Sequence, residues 1–154
     1  KRVADKTKDI GAKLSFDVNF RKDIFRDSDA AKRAYEPFVK HADIVKFSED
    51  ELLDFTGISG IDAAAESLCD KDKLIFVTLG KNGSAYYFNG EKGVVPSEYK
   101  CKSVDTTGAG DAFFGAFLAA IENKEPTKEN IVSAMRNGNE KGAKTTEFFG
   151  AIKL

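Results

Sequence analysis

Leu74-Ile-Phe-Val-Thr-Leu79 is an almost unbroken apolar run of strand length, and a strand that is apolar on both sides has to be covered on both faces. The rest of the chain agrees with that demand, because short β-rich runs alternate with longer helical ones, the signature of parallel βαβ units. The patterns predict a helix over Val3–Ala12, a strand over Lys13–Val18 and a helix over Ala30–His41. A strand over Asp43–Phe47 follows, then helices over Glu49–Thr56, ending at Gly57, and over Ile61–Cys69. Beyond Leu79 the character changes. Gly83–Phe88 and Gly93–Pro96 flank Asn89-Gly90, an antiparallel hairpin signal, and Lys100–Val104 reads as a further short strand. Helices over Gly110–Glu122 and Lys128–Thr145 complete the pattern, with Pro126 expected just inside the last helix start and Glu129 nearby. The expected class is α/β, with a mainly parallel sheet between helix layers and a hairpin at one edge.

The 154 residues suffice for one domain core. At 42% hydrophobic and 32% charged, with a net charge of -1, the composition is that of an ordinary globular chain. The lysines are scattered among acids, so no basic face for nucleic acid is expected. The longest apolar stretch, Ala112–Ile121, is too short to span a bilayer, so no membrane partner is expected either. Cys69 and Cys101 lack disulfide-framework or metal-site spacing and read as reduced, packed thiols, which points to the cytoplasm. His41 is alone and reads as a helix-end residue.

The chemistry concentrates in Asp105-Thr-Thr-Gly-Ala-Gly-Asp111, which runs directly into the apolar segment Ala112–Ile121. The first amides of a helix have no intrahelical partner and carry the positive end of its dipole, so a start approached through glycines can receive an anion. A carboxylate there would repel a phosphate unless the reaction needs it, as a kinase needs a base for the acceptor hydroxyl. The simpler alternative is that Gly108 and Gly110 make a tight turn and Asp111 complements the dipole. A dinucleotide fingerprint fails because position 113 is Phe113, and no Gly-x4-Gly-Lys-Ser/Thr exists in the chain. Ser48 and Glu51 fit a helix capping box. Arg21, beyond the strand end at Asp17, has two readings: a bidentate clamp for an anion, or a surface ion pair with Asp23 or Asp27.

Asp105–Asp111 resembles the second signature of the PfkB family of carbohydrate kinases, within the ribokinase-like superfamily, and other segments extend the likeness. Ser15-Phe-Asp-Val-Asn-Phe-Arg21 resembles the Asp-x-Asn-x-Arg segment of fructokinases and 2-keto-3-deoxygluconate kinases. Ala42–Leu52 with Thr56-Gly57, Leu74–Gly83 and Asn139-x-x-Gly-Ala143 are similar to further family segments, in the family's order. The resemblance implies a ribokinase-like three-layer α/β/α fold, and these segments belong to the C-terminal half of proteins about twice as long. The expectation is therefore a C-terminal part of one kinase domain over residues 1–154, without the sugar-binding first half and lid, and a homodimer in the complete protein.

The resemblance also implies roles. Asp111 becomes the general base for ATP-dependent phosphorylation of a sugar hydroxymethyl, with fructose the first expectation. A 2-keto-3-deoxygluconate kinase or another PfkB sugar or nucleoside kinase is the alternative, and a catalytically silent nucleotide-binding fragment the alternative of another class. The amides of Gly108, Ala109 and Gly110 would meet the transferring phosphoryl group. Thr78, Gly80, Gly83, Asn139 and Lys46 would contact nucleotide, although the Gly80–Gly83 turn is equally explained by hairpin chemistry. Asn19 and Arg21 would contact substrate or phosphate. Glu51 would organise Mg²⁺ indirectly through water, and Asp105 and Thr107 would hold a monovalent cation, K⁺. Thr146–Ile152 is one residue longer than the family's usual stretch before Gly-Ala-Ile.

Overall fold

The computed structural model describes residues 2–151; Ile152, in the lengthened C-terminal stretch, lies outside them. Helix α1 (Arg2–Asp9) leads into strand β1 (Ser15–Asp17), a single 3-10 turn (Lys22–Ile24), helix α2 (Ser28–His41), strand β2 (Ile44–Ser48) and helices α3 (Glu49–Thr56) and α4 (Ile61–Glu66). Strands β3 (Leu74–Thr78), β4 (Ser84–Phe88) and β5 (Glu91–Val95) precede helices α5 (Ala109–Ile121) and α6 (Lys128–Thr145). The strands form one five-stranded sheet in the order β1-β2-β3-β4-β5. β1 and β2 are parallel, with Asp17 opposite Lys46. β4 and β5 are joined by Asn89 and Gly90, both at positive φ, as a two-residue hairpin requires. The sheet is thus mixed, parallel at β1 and hairpin-closed at β5, which agrees with the expected class.

The chain divides into two compact units: Lys1–Val77 with Tyr86–Gly93, and Thr78–Ala85 with Val94–Leu154. In the first, Val45, Phe47, Leu52, Ile75, Phe76 and Val77 are fully buried, which explains why the Leu74 run carries no polar face. In the second, Phe117, Ile131 and Met135 are fully buried where α5 packs on α6, and each such side chain contributes about 1.5–3 kcal/mol of transfer free energy. The two helices approach closely because α6 presents glycines: a Cβ on Gly138 would lie 2.8 Å from the Phe113 ring, and one on Gly142 would lie 3.0 Å from the Ala109 carbonyl oxygen. That packing fixes where α5 begins.

Several boundaries differ from expectation for identifiable reasons. Helix α2 starts two residues before Ala30 because Asp27 caps it, its carboxylate accepting the Ala30 amide at 2.6 Å. Helix α4 stops at Glu66, where the chain passes into turns. Lys100–Val104 forms no strand; the amides of Val104 and Asp105 both donate to the Thr146 carbonyl, at 2.7 and 3.1 Å, instead of entering a ladder. Thr127, not a residue before it, caps α6 through the Asn130 amide, so Pro126 lies outside that helix. His41 does end α2, and the ammonium of Lys73 satisfies the carbonyls of Val39 and Lys40 there, at 2.8 and 3.0 Å.

Candidate active site

The predicted residues fall into a group in each unit. In the first unit they gather where β1 and β2 end. Lys46 is 6% exposed, and its ammonium meets both carboxylate oxygens of Asp17 at 2.8 and 3.0 Å. Parallel register puts these residues side by side. Removing one member of so enclosed a pair would leave the other charge poorly solvated. Lys46 therefore has a structural partner that its sequence context did not suggest.

Directly after β2, Ser48 caps α3. Its hydroxyl accepts the Glu51 amide at 3.3 Å, and Glu51 Oε2 accepts the Ser48 amide at 2.7 Å, a complete capping box. The other Glu51 oxygen accepts the amide of Phe20 at 3.1 Å. Both oxygens are thus engaged by amide donors. Asn19 sits at φ 40, the left-handed region that asparagine tolerates better than most residues. Its side-chain oxygen accepts from Arg21 Nε at 3.1 Å. Asp27, one of the acidic partners considered for Arg21, is occupied as the cap of α2.

In the second unit, the turn after β3 is built by glycines. Gly80 and Gly83 have φ of +56 and +99, and a Cβ on Gly83 would overlap the Val95 carbonyl. The amide of Leu79 donates to the Gly83 carbonyl at 2.8 Å to close the turn. Thr78 is half-buried at the end of β3. Asn139, expected to contact nucleotide, is 8% exposed. Its amide donates to the Val95 carbonyl at 2.9 Å, and its oxygen accepts the fully buried Ser84 hydroxyl at 3.0 Å. Its side chain is therefore committed to joining α6 to β4 and β5.

The start of α5 is constructed differently. Gly108 occupies the cap position at φ 79 and ψ -1, and no side chain caps the helix. A Cβ on Gly108 would lie 2.6 Å from Ala151 Cβ, so glycine is required by space as well as by backbone angle. The Ala109 amide donates to the Thr106 carbonyl at 3.2 Å, so of the three expected anion-binding amides this one is spent in the turn. Asp111 lies in the first turn and is exposed. Among the described residues, no hydrogen bond or ion pair engages its carboxylate.

The loop feeding this start is held by Asp105. One carboxylate oxygen accepts from the Thr107 amide and hydroxyl, at 2.9 and 2.7 Å, and the other accepts the Gly150 amide at 2.9 Å. The Gly150 amide, and then the Thr107 donors, hold this carboxyl below its ordinary titration range. Thr107 is exposed. An anionic Asp105 is what a cation site would need, and the same charge serves the loop. A groove of about 490 Å³ in this unit is lined by Pro96, Glu98, Tyr99, Arg136, Asn137 and Glu140, none of them predicted site residues.

Sequence reasoning did not identify Asp17 as the partner of Lys46, Ser84 as the partner of Asn139, or Tyr35, whose hydroxyl donates to the Asn19 carbonyl at 3.2 Å. Those partners lie 29, 55 and 16 positions away, and only the sheet register could have signalled the first. Among the described residues there is no cluster of three or more His, Cys, Asp or Glu suited to a metal ion. No described helix is long and apolar enough to cross a membrane.

Comparison with known proteins gives a consistent picture. The sequence profile of the pfkB family of carbohydrate kinases matches residues 2–153. Fructokinase-1 of Zea mays is 40% identical over 157 residues, covering 98% of this chain and 48% of the maize protein. Fructokinase-1 of Oryza sativa subsp. japonica is 38% identical, covering 98% and 48%. A double mutant of the Vibrio cholerae O395 fructokinase, solved in a fructose, ADP and potassium ion bound form, superposes with a TM-score of 0.89 at 31% identity, covering 97% of this chain and 49% of that one. The Salmonella enterica aminoimidazole riboside kinase, complexed with aminoimidazole riboside and an ATP analog, gives 0.86 at 28% identity, covering 97% and 51%. The chain thus spans about half the length of the relatives it matches, and its α/β fold is theirs.

Proposed function

Since this chain belongs to the pfkB family of carbohydrate kinases, we propose that it forms the catalytic-base and nucleotide-binding part of an ATP-dependent sugar kinase, with fructose as the acceptor. The observation that carries the reading is the pairing at the start of α5 of an exposed carboxylate, without a partner among the described residues, with a helix end that no described side chain caps. A helix end left open costs stability unless something else satisfies it. A nucleotide's terminal phosphate would do so.

In this reading Asp111 takes the proton of the sugar hydroxymethyl as its oxygen attacks the terminal phosphorus, whose bond to the bridging oxygen breaks to release ADP. The backbone at Gly108 and Gly110 stabilises charge on the transferring group, and the αL geometry of Gly108 presents that backbone without a side chain in the way. Thr78, Gly80 and Gly83 shape a wall for the nucleotide, with Asn139 behind it, and Lys46 would contact phosphate, its charge partly offset by Asp17. Asn19 and Arg21 contact the substrate. Mg²⁺ would offset phosphate charge. The want of a three-ligand cluster among the described residues suits an ion held by phosphate oxygens and water, which Glu51 would approach through water. Asp105 and Thr107 would serve K⁺, the ion bound in the Vibrio cholerae protein. A homodimer in the cytoplasm belongs to the same proposal.

The test is turnover by the complete polypeptide with ATP and a panel of sugars. Fructose should give the highest kcat/KM, ahead of 2-keto-3-deoxygluconate. Asp111→Asn should lower kcat by about two to four orders of magnitude while calorimetry shows ATP affinity largely kept. Near-normal turnover in that variant refutes the assignment of the base. ATP binding with no transfer to any sugar establishes a silent nucleotide-binding module instead.

A further inference from the structure

Asn19 and Arg21, the residues given a substrate-facing role above, sit on a segment that does not hold its own shape. Asn19 is at φ 40, and its neighbours are fixed from elsewhere. The Tyr35 hydroxyl, on α2, donates to the Asn19 carbonyl at 3.2 Å. The Phe20 ring packs edge-on against Tyr35 and Phe55, with centroids at 5.3 and 5.7 Å. The Phe20 amide donates to Glu51 at 3.1 Å across 31 positions of sequence. Asn19 also holds Arg21, its side-chain oxygen accepting from Arg21 Nε, and the Arg21 side chain is otherwise exposed.

A capping-box glutamate ordinarily serves one amide, that of the cap residue. Here the second oxygen serves an amide on a different element, so a local helix cap becomes a clamp between α3 and the segment after β1. We propose that Glu51 is a positioning residue: it holds Asn19–Arg21 in the left-handed turn and thereby aims the Arg21 guanidinium at the substrate. The proposal rests on the sugar-kinase reading for what Arg21 contacts, and on the two hydrogen bonds of Glu51 for the clamp itself.

Glu51→Gln tests the clamp at its longer-range bond. A glutamine oxygen can replace one carboxylate oxygen, but its amide nitrogen is a donor and cannot accept the other N–H. The shorter, sequence-local bond to Ser48 survives and the Phe20 bond breaks. In the complete protein the sugar KM should rise about tenfold, the factor carried by one charge-assisted hydrogen bond at the low end of its range. With Arg21→Ala already present, Glu51→Gln should raise KM no further, because both changes remove the same interaction. An unchanged sugar KM in Glu51→Gln overturns the proposal, as do fully multiplicative effects in the double variant. If the wild-type protein phosphorylates no sugar, the kinase reading has failed separately. Amide exchange then decides the clamp, with Phe20 expected to exchange about tenfold faster in Glu51→Gln while core amides such as that of Ile75 keep their rate. Equal exchange at Phe20 in both proteins overturns it.

Discussion

Helices α3 and α5 both carry a carboxylate at the third helical position, Glu51 in one and Asp111 in the other, yet the two starts are built in opposite ways. At α3 the side chains of Ser48 and Glu51 consume the orphan amides and Glu51 reaches back to Phe20. At α5 the cap is a left-handed glycine, and among the described residues no side chain caps the end and none partners the exposed carboxylate. The same ingredients can thus close a helix or leave it available. What decides is whether the acidic side chain can turn back onto its own amides. Glu51 does so from the third helical position, behind a serine cap in extended conformation; Asp111, one methylene shorter and behind an αL glycine, does not. The closed start spends its side chains on its own amides, and the open one leaves its carboxylate available.

The largest effect that would break this contrast is at Asp111. The loss of two to four orders of magnitude in kcat expected for Asp111→Asn should come with little change in melting temperature, because an exposed side chain without a partner contributes within about 0.5 kcal/mol. A marked loss of stability would mean that Asp111 closes its helix after all. The next effect is at Gly108. Gly108→Val forces a β-branched residue to φ 79 and drives its Cβ toward Ala151, so about 1–3 kcal/mol of backbone strain is expected before any overlap is counted. Thermal unfolding should show a drop of several degrees, with turnover lost alongside. A variant that melts like the wild type would show that the αL cap is dispensable.

These positions also mark how far the sequence could be read. The glycines and Asp111 were legible because turn chemistry is local: Gly108, Gly57 and Asn89-Gly90 all sit at the positive φ their residue types favour. The capping box at Ser48 was legible for the same reason, since both its bonds span three residues. The double use of Glu51 was not, because its second partner is 31 positions away. Asn139 shows the same limit more sharply. Its motif suggested a ligand contact, but the structure gives it the buried Ser84 hydroxyl and the Val95 carbonyl, 55 and 44 positions distant, and no local pattern encodes such a pair. The false strand at Lys100–Val104 failed likewise, its last amide being drawn to Thr146. Local backbone requirements were readable, and partners set by tertiary packing were not.

A smaller effect sharpens the closed side of the contrast. Ser48→Ala removes the hydroxyl that accepts the Glu51 amide but leaves the Ser48 amide, and hence the grip of Glu51, in place. The expected loss is about 1 kcal/mol of stability, read as a shift in the denaturant midpoint, with kcat retained. A fall in kcat without a fall in stability would mean that the Ser48 hydroxyl acts on a ligand and not as a cap, and would erase the distinction between the two starts.

The smallest effect concerns what the open start uses in place of a cap. Its loop is tied by the Asp105 carboxylate, which the Gly150 amide and the Thr107 donors hold below its ordinary titration range. A carboxyl depressed in the folded state contributes stability that is present above its unfolded value and lost as pH falls through the folded one. Near neutral pH the tie should therefore be insensitive to pH, and on acidification it should persist through the range in which free aspartates protonate and loosen only below it. The amide resonances of Thr107 and Gly150, which donate to opposite oxygens of the same group, should then move together with one midpoint, and Asp105→Asn should abolish that titration. Midpoints at the ordinary aspartate value, or different for the two amides, would mean that Asp105 does not bind the loop as a single anion. The geometry of the open start would then have to come from Gly108 and the α5–α6 packing alone.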